Sequence, residues 1–101
     1  SLQSNLIVVL LHLLKWQYQP ALRSSSWKVS LIEHRRRLRN ALKESPSLNP
    51  YLMQIFGECY GDAVEQAAAE TGLSEVTFPV SCPYTIEQLL DSDFLPEADR
   101  S

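Results

Sequence analysis

Apolar residues recur along this chain at the three- and four-residue spacing of α-helices, in three long segments separated by Pro- and Ser-rich turns. The pattern predicts helices over residues 5–18, 26–43 and 50–70, and a short fourth helix near 85–91. No segment alternates apolar and polar residues in the way of a half-buried strand. We therefore expect an all-α fold, a small bundle of three main helices plus a short C-terminal helix.

The first predicted helix is apolar on nearly every side. A narrow stripe of Asn5, Val8, His12 and Lys15 is the only interruption. A helix of this kind is usually buried between other helices, so we expect it at the centre of the bundle. Pro20 ends it, because proline disfavours helical geometry in the residue before it.

Capping signals mark the other helix boundaries. Three serines, Ser24–Ser26, stand where the second helix should begin, and Asn49-Pro50 would supply a cap and a first helical residue for the third. Gly72 is placed to stop the third helix. Thr85 and Gln88 have the spacing of a capping box, which predicts the start of the short fourth helix.

Residues 1–101 are expected to form a single helical domain, with irregular segments at 73–84 and 95–101. The apolar positions that should face inward define the expected core. They are Leu10, Leu13, Leu14, Trp16, Trp27, Leu31, Leu38, Leu42, Leu52, Ile55, Phe56, Cys59, Tyr60, Ala63, Phe78 and Leu89.

Charge is divided sharply along the chain. Residues 1–43 hold eight Lys and Arg against one Glu, a net charge of +7, and residues 44–101 hold one Arg against eleven acids, a net charge of −10. The overall charge is only −3. Such a division is typical of a nucleic-acid face, of a partner face, or of two halves of one fold that attract each other.

The basic residues crowd one face of the second predicted helix. This row of Lys28, Arg35, Arg36, Arg39 and Lys43, with Ile32 among them, is the candidate binding site. Like charges at this spacing repel one another, so we expect the row to be an interface. The acids available within the chain are Glu58, Asp62, Glu65 and the Asp91–Asp93 segment; an acidic partner is the second candidate.

Nucleic acid is the third candidate for the same row. Several cations on one helical face neutralise phosphates, and Trp16, Tyr18 and Trp27 are close enough in sequence to stack on bases. The pI near 5.3 and the absence of a recognition motif argue against this alternative.

Acid–base or metal chemistry has few candidates. His12, Glu33 and His34 are the only ones, with Cys59 or Cys82 as further zinc ligands if the first two helices are antiparallel neighbours. No two of these residues have the close spacing of a metal motif. We therefore predict no metal and no cofactor, and two histidines that are hydrogen-bonded at a helix interface.

The remaining composition limits location. Two cysteines are too few for a disulfide-stabilised secreted fold, so free thiols that are buried or half-buried are expected. The apolar run from Leu6 to Leu14 is shorter than the roughly 20 residues of a membrane span. It also lacks the basic flank and cleavage site of a signal peptide. A cytoplasmic protein without a membrane association is expected.

Several collinear motifs along the whole chain resemble one family, the bacterial domain-of-unknown-function family twenty-nine, which is abundant in cyanobacteria. The motifs are His12–Pro20, Arg23-Ser24, Ser26-Trp27, Glu33–Arg35, Ser45–Leu48, Glu70–Leu73, Phe78-Pro79, Cys82–Thr85, and Asp91 with Phe94–Pro96. The resemblance implies a mainly helical fold and a further helical third of the domain upstream of Ser1. It implies no activity, substrate or site residues.

The function expected from these observations is a non-enzymatic helical module for protein interaction or assembly, with a protein partner or a homo-oligomer. The alternative is a nucleic-acid-binding regulator that uses the basic second helix. A small hydrolase or nuclease built on His12 and His34 is the third hypothesis.

Overall fold

Four α-helices and two single 3₁₀ turns form the structure, a computed structural model that describes residues 1–100. The helices are α1 (Leu2–Tyr18), α2 (Ser25–Glu44), α3 (Leu48–Thr71) and α4 (Ile86–Leu90). The 3₁₀ turns lie at Pro20–Leu22 and Glu75–Thr77, and residues 1–100 contain no strand. The all-α prediction of three main helices and one short C-terminal helix is confirmed.

The first helix lies at the centre of the fold. Both α2 and α3 pack along α1, whereas they touch each other only slightly. Lys15 Nζ lies 2.9 Å from Glu70 Oε1, so α1 and α3 end together and run in the same direction. The same ammonium is 4.7 Å from the centroid of the Trp27 ring at the start of α2, so α2 runs antiparallel to α1. The expectation that the most apolar helix is central is confirmed.

The core is larger on α1 than the sequence indicated. Three predicted core residues, Trp27, Leu42 and Phe56, are only half-buried, because each lies at the edge of its helix interface. The additional buried residues are Leu6, Val9, Leu11, Val64, Ala67 and Tyr84. Leu6, Val9 and Leu11 are buried because α1 contacts a neighbouring helix on each of two sides, and a helix packed on two sides buries more than one stripe of residues.

The helix boundaries confirm most of the predicted caps. Ser24 Oγ accepts from the Trp27 amide, and Thr85 with Gln88 forms the predicted capping box. Gly72 has a φ of 75° at the end of α3, which is the left-handed geometry expected of a glycine stop. Two predicted starts were wrong. The first helix begins at Leu2, three residues early, because Ser1 and Ser4 form a capping box. The third begins at Leu48, two residues early, and Asn49 instead donates through Nδ2 to the Pro46 carbonyl.

The C-terminal third packs back against the end of α1 and the middle of α3, and α4 packs against α2. Tyr84 Oη donates to Gln17 Oε1 at 2.6 Å, and Tyr60 Oη donates to the Pro79 carbonyl at 2.6 Å. The Asp99 amide then donates to the Gln17 carbonyl. Residues 95–100 have no regular secondary structure, and Ser101, the last residue of the segment expected to be irregular, lies outside the described residues.

Candidate interaction surface on α2

The predicted basic row divides into two parts, and the inner part is structural. Arg35 is only 2% exposed. Its Nε donates to the Leu89 carbonyl at 2.9 Å, and its Nη2 donates to the Gln88 carbonyl at 3.1 Å. One turn further along, Arg39 Nη1 donates to the Leu90 carbonyl at 3.0 Å. Two arginines of α2 therefore bind three consecutive carbonyls at the end of α4.

The end of α4 is a natural acceptor for these cations. The last carbonyls of a helix have no intrahelical partner and carry the negative end of the helix dipole. The guanidinium of Arg35 reaches two of them at once, which a lysine ammonium on a flexible stem does less well. Burial lowers the pKa of the Arg35 guanidinium, and the nearby Asp91 carboxylate opposes that shift.

The acids proposed to neutralise the row are therefore not its main partners. Within residues 1–100 the only ion pairs are Lys15–Glu70 and Glu33–Arg37, the latter at 2.7 Å as expected from the i,i+4 spacing. Of the alternatives left open by the sequence, pairing of the row with carboxylates of α3 is not seen among the ion pairs of the described residues. The physical reason is topological: α1 lies between α2 and α3, which places the α3 acids on the opposite flank of the fold.

An outer stripe on α2, which we define as Val29, Ile32, Arg36 and Lys43, contains the other exposed members of the row and the neighbouring Val29. Lys28, the fifth cation of the row, lies outside this stripe, over the Trp16 ring. At 3.6 residues per turn the four positions of the stripe fall within about 60° of one another on the helix. Val29 and Ile32 are 60% and 51% exposed, and both cations are exposed without an ion pair in the described part of the chain. The outer stripe is thus apolar toward its N-terminal end and basic toward its C-terminal end.

A groove runs beside the outer stripe. It has a volume of about 260 Å³ and lies between α2 and the C-terminal segment, with Ile32 and Leu95 on its walls and Lys28 at its edge. Leu95 is 37% exposed, so the groove offers apolar surface next to a basic helix. A single exposed Val is ordinary, but exposed β-branched residues beside such a groove are typical of an interaction site.

The aromatic rings near the row already have partners within the fold. The guanidinium carbon of Arg23 lies 4.8 Å from the centroid of the Trp16 ring, and Lys28 Nζ lies 5.7 Å from it. The Trp27 ring has the Lys15 ammonium over it, and Tyr18 packs edge-on against Phe78 with a centroid distance of 5.0 Å. Trp16 and Trp27 therefore each have a cation over the ring, Trp16 is also buried, and Tyr18 has an aromatic partner within the fold.

The two histidines lie at the interface between α1 and α2. Each Nδ1 is 2.8 Å from the carbonyl four residues earlier, Val8 for His12 and Ser30 for His34. Burial is the main cause that lowers the pKa of His12, and the charge of His34 contributes to the same shift, as expected if the rings are near each other. Glu33 points away and pairs with Arg37, so the three candidates do not converge on one point.

In residues 1–100 the two thiols are not activated and the candidate metal ligands are not grouped. Cys59 is buried and Cys82 half-buried, and both are free, as the sequence indicated. Burial raises the pKa of each thiol, which disfavours the nucleophilic thiolate. Among residues 1–100, no three His, Cys, Asp or Glu side chains are grouped so that they could hold a metal ion. None of the helices described is both long and apolar enough to cross a bilayer.

Sequence reasoning located the row but missed how it divides. The Thr85–Gln88 capping box marks α4, yet nothing local shows that its last carbonyls meet Arg35 from more than fifty residues away. The exposed position of Val29 was also missed. Its spacing of three to Ile32 and seven to Arg36 is the signal that would have found the outer stripe.

Comparison with known proteins agrees with the motifs. No curated protein and no solved structure matches the chain significantly. A family model described as "Domain of unknown function DUF29" matches residues 1–95. Because this match covers nearly the whole chain, the protein belongs to the DUF29 family.

Proposed function

We propose that this protein is a non-enzymatic helical interaction module that docks an acidic protein partner through the outer stripe of α2. The observation that carries the proposal is the combination of exposed Val29 and Ile32 with Arg36 and Lys43 on the same face of one helix. Apolar contacts would supply affinity, and the cations would select the partner by charge.

The geometry of α2 favours this role over a purely structural one. The fold uses Arg35 and Arg39 to bind the end of α4, and it leaves Arg36 and Lys43 without an ion pair in residues 1–100. Like-charged neighbours repel by a few tenths of a kcal/mol per pair. An acidic partner would relieve that repulsion, which the chain itself does not.

An acidic protein fits the stripe better than a nucleic acid does. Nucleic-acid binding by the same helix would rely on Trp16, Tyr18 and Trp27 for stacking, and these rings already contact Arg23, Phe78 and Lys15, respectively, within the fold. In addition, phosphate neutralisation does not call for the exposed apolar half of the stripe.

The proposal is tested with defined probes in a fluorescence-anisotropy titration. The probes are an amphipathic helical peptide with Asp and Glu on one face and Leu on the other, a DNA duplex, and a single-stranded RNA. We expect the peptide to bind at low salt and to weaken as salt rises. Tighter binding of either nucleic acid than of the peptide would overturn the proposal in favour of a nucleic-acid regulator.

Two charge-reversal variants locate the binding. Arg36→Glu changes the outer stripe, whereas Arg37→Glu makes the same change in net charge at the neighbouring position that pairs with Glu33. We expect Arg36→Glu to weaken peptide binding at least about tenfold and Arg37→Glu to weaken it less than about threefold. Equal losses would mean that net charge, and not the stripe, determines binding.

A further inference from the structure

Two positions in the middle of α3 are occupied by glycine although no contact in the described residues requires it. Gly57 and Gly61 lie in the interior of a 24-residue helix, where each costs about 1 kcal/mol relative to alanine. Both have ordinary helical geometry, and a Cβ added to either would meet no atom within 4 Å. The fold would accept alanine at both positions, so the flat surface that they leave suits a close approach from outside.

A groove borders these glycines. It has a volume of about 320 Å³, with Gly57 and Gly61 of α3 on one side and the segment around Glu75–Thr77 on the other. Val76 and Val80 on its far wall are 90% and 102% exposed. Both valine side chains are therefore almost fully exposed to water. They lie beside an apolar groove that Phe78 and Pro79 also line.

The rim of the groove is acidic. Glu75 lines it, while Glu58 and Glu65 are exposed on α3 next to and one turn beyond the glycines. The whole of α3 contains four acids and no Lys or Arg. The groove therefore combines an apolar floor with negative charge, and its best occupant is a helix that carries apolar and basic residues on one face.

The outer stripe of α2 has this composition, but it cannot reach the groove of its own chain. The central helix α1 separates α2 from α3, and the two outer helices barely touch. We propose that the α2 outer stripe of one copy docks into the α3 groove of a second copy. The inference rests on the proposed function, because it names the acidic partner of the outer stripe as another molecule of this protein.

Two features of the complementary surfaces support this occupant. Val29 and Ile32 would cover Val76 and Val80, while Arg36 and Lys43 would lie near the acidic rim. The absence of side chains at Gly57 and Gly61 would let the α2 backbone approach α3 closely. Because different surfaces meet, the contact is head-to-tail, and copies add until a ring closes or a chain extends.

Sedimentation velocity over a range of protein concentrations tests the proposal with the whole chain. We expect the wild type to associate at low salt and to dissociate as salt rises. Three variants, Arg36→Glu, Glu65→Lys and Gly61→Leu, should each weaken association at least about tenfold. The matched controls Arg37→Glu and Glu97→Lys change charge elsewhere and should stay within about threefold of the wild type. Thermal melting verifies that each variant folds.

Mixing two variants gives the most discriminating test of the proposed contact. At a concentration where the weakened variants no longer self-associate, Arg36→Glu and Glu65→Lys should each be monomeric alone and should associate when mixed, because the intact stripe of one meets the intact groove of the other. A wild type that stays monomeric, or a mixture that does not associate, would overturn the proposal. If Arg36→Glu weakens acidic-peptide binding while Glu65→Lys and Gly61→Leu leave self-association unchanged, the groove is not the partner and the proposed function stands alone.

Discussion

Arg35 and Arg36 are adjacent in the sequence and carry the same side chain, but they have opposite environments. Arg35 is 2% exposed and binds two carbonyls of α4, whereas Arg36 is exposed and makes no ion pair in the described residues. A rotation of 100° around α2 separates a residue that holds the fold together from one that the fold does not use.

The difference shows what makes a buried cation acceptable. No carboxylate forms an ion pair with Arg35 in the described residues; backbone carbonyls at the end of a helix satisfy it. Hydrogen bonds from a charged donor are stronger than neutral ones, and the dipole of α4 adds to them. The basic row is therefore two surfaces, an inner one that serves folding and an outer one that remains available for binding.

Removing the inner arginine should have the largest effect. Arg35→Ala removes the side-chain donor of the Leu89 carbonyl, leaves the Gln88 carbonyl with the Asp91 amide as its donor, and opens space beside α4. The free energy of unfolding should therefore fall by about 2–3 kcal/mol. Arg36→Ala should change it by less than about 0.5 kcal/mol. Urea unfolding followed by circular dichroism measures both.

A conservative variant separates charge from geometry at the same position. Arg35→Lys keeps the cation but cannot present the planar fork, so its stability should lie between those of the wild type and Arg35→Ala. If Arg36→Ala were as destabilising as Arg35→Ala, the division of the row into inner and outer parts would be wrong.

The glycines of α3 extend the comparison between structural and unused positions. Gly72 has a φ of 75°, so Gly72→Ala should destabilise the protein by about 1 kcal/mol. Gly57→Ala and Gly61→Ala meet no neighbouring atom and should each stabilise it by about 0.5–1 kcal/mol. Thermal melting shows the opposite signs directly; a loss of stability at Gly57 or Gly61 would mean that these positions serve the fold.

The capping box at the start of α4 stabilises the same short helix whose last carbonyls bind Arg35. Thr85 Oγ1 accepts from the Gln88 amide at 3.1 Å, and Gln88 Oε1 accepts in return from the Thr85 amide at 3.0 Å. Thr85→Ala should cost about 1 kcal/mol. In a double-mutant cycle with Arg35→Ala the two losses should not add, because both act on a five-residue helix; additive losses would show that the cap and the arginine act separately.

The smallest expected effect is a pH dependence of stability that comes from His12 of α1, which lies near His34 of α2. Because burial lowers the pKa of His12, the unfolded chain takes up a proton more readily than the folded one below about pH 6.5. Stability should therefore fall as the pH drops from about 7 to 5.5, and His12→Gln should reduce that slope. An unchanged slope would show that His12 does not contribute.

Much of the fold could be predicted from local pattern. Helical periodicity, the caps at Ser24 and Thr85, and the stop at Gly72 are properties of a few neighbouring residues, and the structure confirms them. The start of α3 was harder, because Ser47 at its N-cap makes no side-chain capping hydrogen bond, while Asn49, the expected cap, lies inside the helix.

The candidate site could be predicted only in part, for a different reason. The basic row is visible in the sequence, but its division depends on where α4 lies, which long-range packing determines. Residues 35 and 89 are too far apart in sequence for any local pattern to join them. The exposure of Val29 depends in the same way on which side of α2 contacts α1.

The central claim, that α2 has an inner structural face and an outer docking face, is tested most directly by a nuclear magnetic resonance titration with the acidic amphipathic peptide. The amide signals of Val29, Ile32, Arg36 and Lys43 should shift as peptide is added. The Nε–H signal of Arg35 should stay in place and protected, because its hydrogen bond to the Leu89 carbonyl persists. Shifts spread over α3 instead, or a displaced Arg35 signal on binding, would contradict the claim.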